Sequence, residues 1–166
     1  MRRYIALGFM ALALLLTVGA SAQGAAAAKA SSFKKDPIFT EIGLRFNVSG
    51  TIAGLQPSTD HPDDTKVFLT GYGTLKVDCF DPSATLLGEA TASFGSVQGL
   101  QYVPDSQLRP SGTPFNVTTA APGLTPEQAG CPSGSTYTAA RDTTYTTARV
   151  VIIQGGLIVM DETLYL

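Results

Sequence analysis

The sequence predicts an all-β domain, an immunoglobulin-like β-sandwich behind a cleaved signal peptide, and three observations lead there. Large apolar residues recur at every second position in several short runs, most clearly Val67, Leu69, Leu75, Val77 and Cys79, the period of a strand with one face in a core. Clusters of Pro, Gly, Asp and Ser separate these runs at close spacing, as the many short strands of a sandwich require. Beyond residue 22 no apolar stripe of helical period runs for more than about two turns.

Taken in order, the chain opens with Arg2 and Arg3, an apolar run from Tyr4 to Val18, and the small residues Gly19, Ala20, Ser21 and Ala22. A charged start, a short apolar stretch and a small-x-small cleavage site are the parts of a secretory signal. The run is also shorter than the roughly 20 residues that a membrane-spanning helix needs. Residues 1–22 are expected to be removed, leaving no stable membrane insertion and an extracytoplasmic chain, in a periplasm, at a cell surface or secreted. The plain Ala20-Ser21-Ala22 cut has a bacterial look. Residues 23–36 are mostly Gly, Ala, Ser and Lys and read as a flexible leader with little to bury. The domain is expected to fill 37–166.

Within that domain residues 42–49 alternate as a strand, with a turn or bulge at Ser49-Gly50 and a continuation over 51–55. Residues 56–65 hold two prolines, three aspartates and the lone His61, a surface loop. The clearest strand follows, with its odd positions apolar up to Cys79, so Cys79 is expected to face the core. Gly71 and Gly73 weaken a strand interior and predict a bulge or bend. Residues 89–94 and 100–103 read as two weaker strands separated by glycines, and 115–119 as another. Residues 120–135 form a loose Pro- and Gly-rich crossover containing Cys131. Residues 136–147, dense in Thr and Tyr, favour β structure. Residues 149–153 and 157–160 flank Gly155-Gly156 as a hairpin, with 163–166 extending its second arm. A small closed barrel would use the same short strands and glycine bends. No Trp is present to stack on a disulfide in the manner of antibody domains.

Cys79 and Cys131 are the only cysteines, and an exported chain with an even count predicts a disulfide between them. It would close a loop of about 50 residues, for about 4 kcal/mol in the chain-entropy model. Without a Cys-x-x-Cys motif the bridge reads as structural.

The charge balance, 11 basic against 13 acidic residues for a net −2, is scattered. It offers no footprint for nucleic acid and no polybasic cluster for an anionic membrane. With one histidine, any Ser-His-Asp or Cys-His device would centre on His61, which sits in a polar loop without a Gly-x-Ser-x-Gly motif. Asp60, Asp63 and Asp64 are the only weak candidates for a Ca²⁺ site. Their spacing does not match an EF-hand loop, and the expectation is a solvated acidic loop with no metal and no cofactor. Tyr72, Tyr102, Tyr137 and Tyr145 are available for a lectin-like aromatic face, although aromatic residues in such strands ordinarily belong to the core. Asn47-Val48-Ser49 and Asn116-Val117-Thr118 match the glycosylation pattern, which would be idle in a bacterial host.

These readings converge on an exported non-catalytic protein acting by binding or as structure, its partner a surface polymer or another protein. A second reading is a strand-exchanging fibre or adhesin subunit, against which the small, polar composition of the leader argues. A small secreted hydrolase ranks last.

Overall fold

The computed structural model describes residues 31–166. The expected signal peptide (1–22) and most of the expected leader (23–30) lie outside the described residues. The strands are β1 (Ser32–Phe33), β2 (Ile38–Ile42), β3 (Arg45–Ala53), β4 (Thr65–Phe80), β5 (Leu86–Val103), β6 (Thr113–Thr118), β7 (Tyr137–Gln154) and β8 (Leu157–Tyr165). A one-turn helix α1 (Pro126–Ala129) and a 3-10 turn (Asp105–Gln107) complete the elements. The chain is all-β. In a short sheet β3 pairs with β6 on one edge and with β2 and β1, end to end, on the other. The long sheet has the order β5-β4-β7-β8, and every pairing is antiparallel. Among the described residues no helix is long and apolar enough to cross a membrane.

β4 explains the long sheet. Val67, Leu69, Leu75, Val77 and Cys79 are all essentially buried, while the even positions between them are half-buried or exposed. The buried face meets Phe46, Val48, Ile52, Phe115 and Val117 of the short sheet in one core, so the inner faces of both sheets supply a single apolar layer. The strands remain in two sheets rather than one closed barrel. At one corner they are joined by hydrogen bonds, the Ala120 N–H donating to the Gln98 carbonyl at 2.9 Å and the Asn116 N–H to the Gln101 side chain at 2.8 Å.

The bend expected at Gly71 and Gly73 is a double bulge in the strands on either side. Against β5, Gly71 pairs with Val97 but Gly73 with Phe94; against β7, Tyr72 pairs with Thr147 but Gly73 with Tyr145. Each neighbour carries one extra residue there, which strengthens the local twist. Glycine is required because a Cβ on Gly73 would stand 2.0 Å from the Thr144 carbonyl oxygen.

Several expectations are corrected. Residues 42–49 are not one strand: Gly43 (φ 60°) and Leu44 form a two-residue turn between the paired Ile42 and Arg45. Gly50 lies inside β3, not at a turn, and accommodates the Phe115 ring, 2.9 Å from where its Cβ would be. Residues 89–94 and 100–103 belong to one continuous strand, β5. The end of the expected flexible leader is ordered as β1, where Phe33 pairs with Ile52 and stacks on Phe115 at 5.9 Å. The Gly155-Gly156 hairpin is present, both residues at positive φ (57° and 77°), as a two-residue turn between right-twisted strands requires.

Candidate functional site

Because the odd residues of β4 enter the core, its even residues point out from the long sheet, and their cross-strand partners complete rows on that face. At the end nearest the disulfide, Phe80 lies opposite Tyr137, with ring centroids 5.1 Å apart and planes 12° from parallel. The next row holds Asp78 and Glu89. Arg141 Nη1 donates to Asp78 Oδ1 at 3.2 Å and also to Glu89 Oε1. Beyond it Lys76 approaches Asp142 at 4.0 Å and sits opposite Thr91. Lys76, Glu89, Thr91, Arg141 and Asp142 line a groove of about 610 Å³.

Bulges shape this groove. Lys76 pairs with Asp142 and Val77 with Ala140, so Arg141 is an extra residue of β7. On the other side Cys79 pairs with Gly88 and Phe80 with Leu86, which leaves Leu87 extra in β5. An extra residue bends its strand and re-aims the side chains around it. Asp78, and next Glu89, raise the Arg141 guanidinium above its already high pKa, so Arg141 stays charged between the two carboxylates. Among the described residues, Arg141 Nε and Nη2 have no partner.

The remaining rows run down the same face. Tyr72 projects near its middle. Phe68 lies between Leu100 and Val151, and Lys66 between Tyr102 and Ile153, the Lys66 ammonium 6.0 Å from the Tyr102 ring centre. Tyr102 and Tyr137 are exposed. Three of the four tyrosines singled out in the sequence therefore face solvent from one sheet, and only Tyr145 is in the core. Alternation can place a tyrosine on one face or the other, but not foretell that the outer face of three paired strands carries three of them.

The expected disulfide is formed, with Cys79 and Cys131 Cα atoms 5.8 Å apart and Cys79 fully buried. Cys131 follows α1, whose first turn is closed by a capping box: Thr125 Oγ1 accepts from the Gln128 N–H and Gln128 Oε1 from the Thr125 N–H. The Thr136 N–H then donates to the Phe80 carbonyl at 2.7 Å. The bridge thus anchors the crossover directly beside the Phe80–Tyr137 pair.

The acidic loop is engaged otherwise. Asp63 Oδ1 accepts from the Asp105 N–H at 2.7 Å, Asp64 pairs with Lys66 at 2.6 Å, and Asp60 is exposed. The Lys66 hydrogen bond holds the Asp64 carboxyl below its usual range. Among the described residues no three metal-ligating side chains come together. His61 is exposed in this loop, beyond the Thr65 end of β4, and the groove lies eleven residues along that strand at Lys76, roughly 35 Å away. Asn47, first residue of one glycosylation pattern, is buried, and its Nδ2 donates to Asn116 Oδ1 at 2.5 Å and Thr118 Oγ1 at 2.9 Å.

No protein-family model, curated protein or solved structure matches this chain.

Proposed function

We propose that the chain is an exported, non-catalytic recognition domain that presents the outer face of its long sheet to a surface polymer or protein. The observation that carries this reading is the makeup of that face. An antiparallel sheet with one face in water ordinarily alternates apolar-in with polar-out. Here Phe80 and Tyr137 stand outward beside a charged groove, Tyr72 near the middle of the face, and Phe68 with Leu100 and Tyr102 toward its far end. Aromatic and Arg side chains at a surface are the types that anchor partners.

Export is supported by the signal-like residues 1–22, bacterial in form, and by the disulfide, which suits an oxidising compartment. Immunoglobulin-like architecture is supported by strand order: β2-β3-β6 take the places of strands A, B and E, and β5-β4-β7-β8 those of C′, C, F and G. The disulfide departs from that pattern, since it ties the end of β4 to a crossover instead of linking the two sheets. A binding role over a hydrolytic one is favoured because the groove carboxylates Glu89 and Asp142, and Asp78 beside them, are paired with Arg141 and Lys76.

The test is retention of the exported form on an envelope fraction from its native host, compared with the triple variant Tyr72→Ser, Tyr102→Ser, Tyr137→Ser. Saturable retention lost in the variant supports the reading, and equal retention rejects it. One feature favours the fibre reading: β8 is the outer strand of the long sheet and exposes Leu157, Ile158 and Tyr165. Asp161 and Glu162 in mid-strand oppose it, since charges on an edge block strand addition. Sedimentation separates the two, a concentration-dependent ladder of multimers for the fibre and a single small species for the recognition domain.

A further inference from the structure

We infer that the groove at Arg141 binds a neutral saccharide chain, with the Phe80–Tyr137 pair as its stacking platform. This rests on the recognition reading above and names the ligand for that face.

The lining selects the ligand chemistry. In the lining Lys76 pairs with Asp142 and Arg141 with Glu89, while Asp78 beside it also holds Arg141, so positive and negative groups are interspersed. A phosphate or sulfate group would meet carboxylates, and a metal ion would meet an ammonium and a guanidinium. An apolar ligand would strip water from charged groups without replacing their hydrogen bonds, a costly exchange. A polyhydroxyl ligand fits every group, because its hydroxyls donate to carboxylate oxygens and accept from Arg and Lys N–H groups. Arg141 suits such a ligand, since Nη1 holds Asp78 and Glu89 while Nε and Nη2 keep their donors free among the described residues. The Asp78 and Glu89 pairs orient the Arg141 guanidinium before a ligand arrives, which lowers the ordering cost of binding.

A sugar ring also has apolar C–H faces, and these need a flat, exposed apolar surface. Phe80 and Tyr137 stack with their planes 12° from parallel, so the exposed Tyr137 ring, backed by Phe80, is the surface offered, and Phe80 is two residues from Asp78 along β4, roughly 7 Å. The groove volume of about 610 Å³ falls within the roughly 300–1,000 Å³ of small-ligand sites. The Cys79–Cys131 bridge and the Thr136–Phe80 hydrogen bond hold the crossover to the end of β4 that carries Phe80.

The experiment is calorimetric titration of the exported form, disulfide intact, with cellohexaose, maltohexaose and chitohexaose, and with a chondroitin sulfate hexasaccharide as the anionic comparator. At least one neutral hexasaccharide binds. Arg141→Ala and Tyr137→Ala each weaken that binding by about tenfold, as loss of a charge-assisted hydrogen bond or a stacking contact implies. Glu89→Gln weakens it while keeping the side chain's shape, and Tyr102→Ser, at the far end of the face, leaves it unchanged. All four positions face solvent, and unchanged melting temperatures separate lost binding from lost fold. Absence of binding by all three neutral sugars, binding of the sulfated one alone, or wild-type affinity in both Arg141→Ala and Tyr137→Ala overturns the inference. If no neutral sugar binds yet envelope retention still depends on the three tyrosines, the ligand assignment falls and the recognition face stands.

Discussion

The ring of Tyr145 occupies the space that a side chain on Gly71 would need, since a Cβ there would stand 2.9 Å from Tyr145 Cε1. The same ring stacks on Phe46 at 4.6 Å and meets the edge of Phe94 at 5.5 Å. Its hydroxyl donates to the Leu44 carbonyl at 3.0 Å. Through Tyr145 the long sheet holds both the core and the turn of the β2–β3 hairpin.

Gly71→Ala is therefore expected to destabilise the domain by about 1–3 kcal/mol through overpacking. Gly73→Ala is worse, because the obstacle there is the Thr144 backbone carbonyl and not a side chain able to shift. Urea denaturation of the two variants checks the order. In a double-mutant cycle the Gly71→Ala penalty should shrink once Tyr145 is truncated to Ala. Additivity would mean that the ring does not impose the glycine.

Tyr145→Phe removes one buried hydrogen bond, at about 1 kcal/mol, and also changes the response to alkali. Burial raises the Tyr145 phenol above its ordinary value, with the Glu41 carboxylate adding to the rise and a Thr119 hydrogen bond opposing it. The folded chain thus keeps this proton at a pH where the unfolded chain has lost it. The associated stability is complete below about pH 10, the ordinary phenol value, and disappears as pH rises through the higher folded value. Denaturation curves between pH 8 and pH 11 should fall less steeply for Tyr145→Phe than for the parent chain. Parallel curves would contradict the assignment.

Much of the fold is legible in the sequence, and the places where it is not have physical causes. The alternation over 67–79 survives because β4 is the regular strand and its neighbours carry the bulges. The β2–β3 hairpin is hidden because a two-residue turn preserves parity: Ile42, Leu44, Phe46 and Val48 keep the same phase straight through Gly43 and Leu44. β5 reads as two strands because its extra residue between Phe94 and Val97 shifts the phase. The groove is less legible still. It joins Lys76, Glu89 and Arg141 from three strands, and its register is set by bulges that only the pairing reveals.

Loss of the Cys79–Cys131 bridge has a large expected effect. The cysteines are 52 residues apart in sequence, and releasing a loop of that length costs about 4 kcal/mol in the chain-entropy model. For a domain of this size that corresponds to a drop in melting temperature on the order of 10–20 °C. Reduced wild type and the Cys79→Ala/Cys131→Ala variant should melt alike and well below the oxidised chain. A difference of only a degree or two would show that the crossover is held by its packing.

At low pH the hairpin of β7 and β8 should loosen. Arg149 Nε and Nη2 donate to the two Asp161 carboxylate oxygens at 2.8 and 2.5 Å, and this hydrogen bonding holds the Asp161 carboxyl below its ordinary range. A depressed folded pKa contributes stability above about pH 4, the ordinary carboxylate value, and loses it as pH falls through the lower folded value. The pair is solvent-exposed, so the effect is small and weakens with salt. Amide exchange at 157–165 should accelerate in Asp161→Asn at pH 7 and low salt, and the difference from wild type should vanish near pH 2. A difference that persists there would rule out the ion pair as its cause.

The recognition face is tested most directly by an amide chemical-shift map of the labelled exported form as solubilised envelope polysaccharide from its native host is added. Shifts are expected only on the outer face of the long sheet, strongest at 76–80, 89–91 and 137–142. Shifts concentrated instead in the loops at 56–64, 104–112 and 155–156, or no shifts at any concentration, would contradict a binding role for that face.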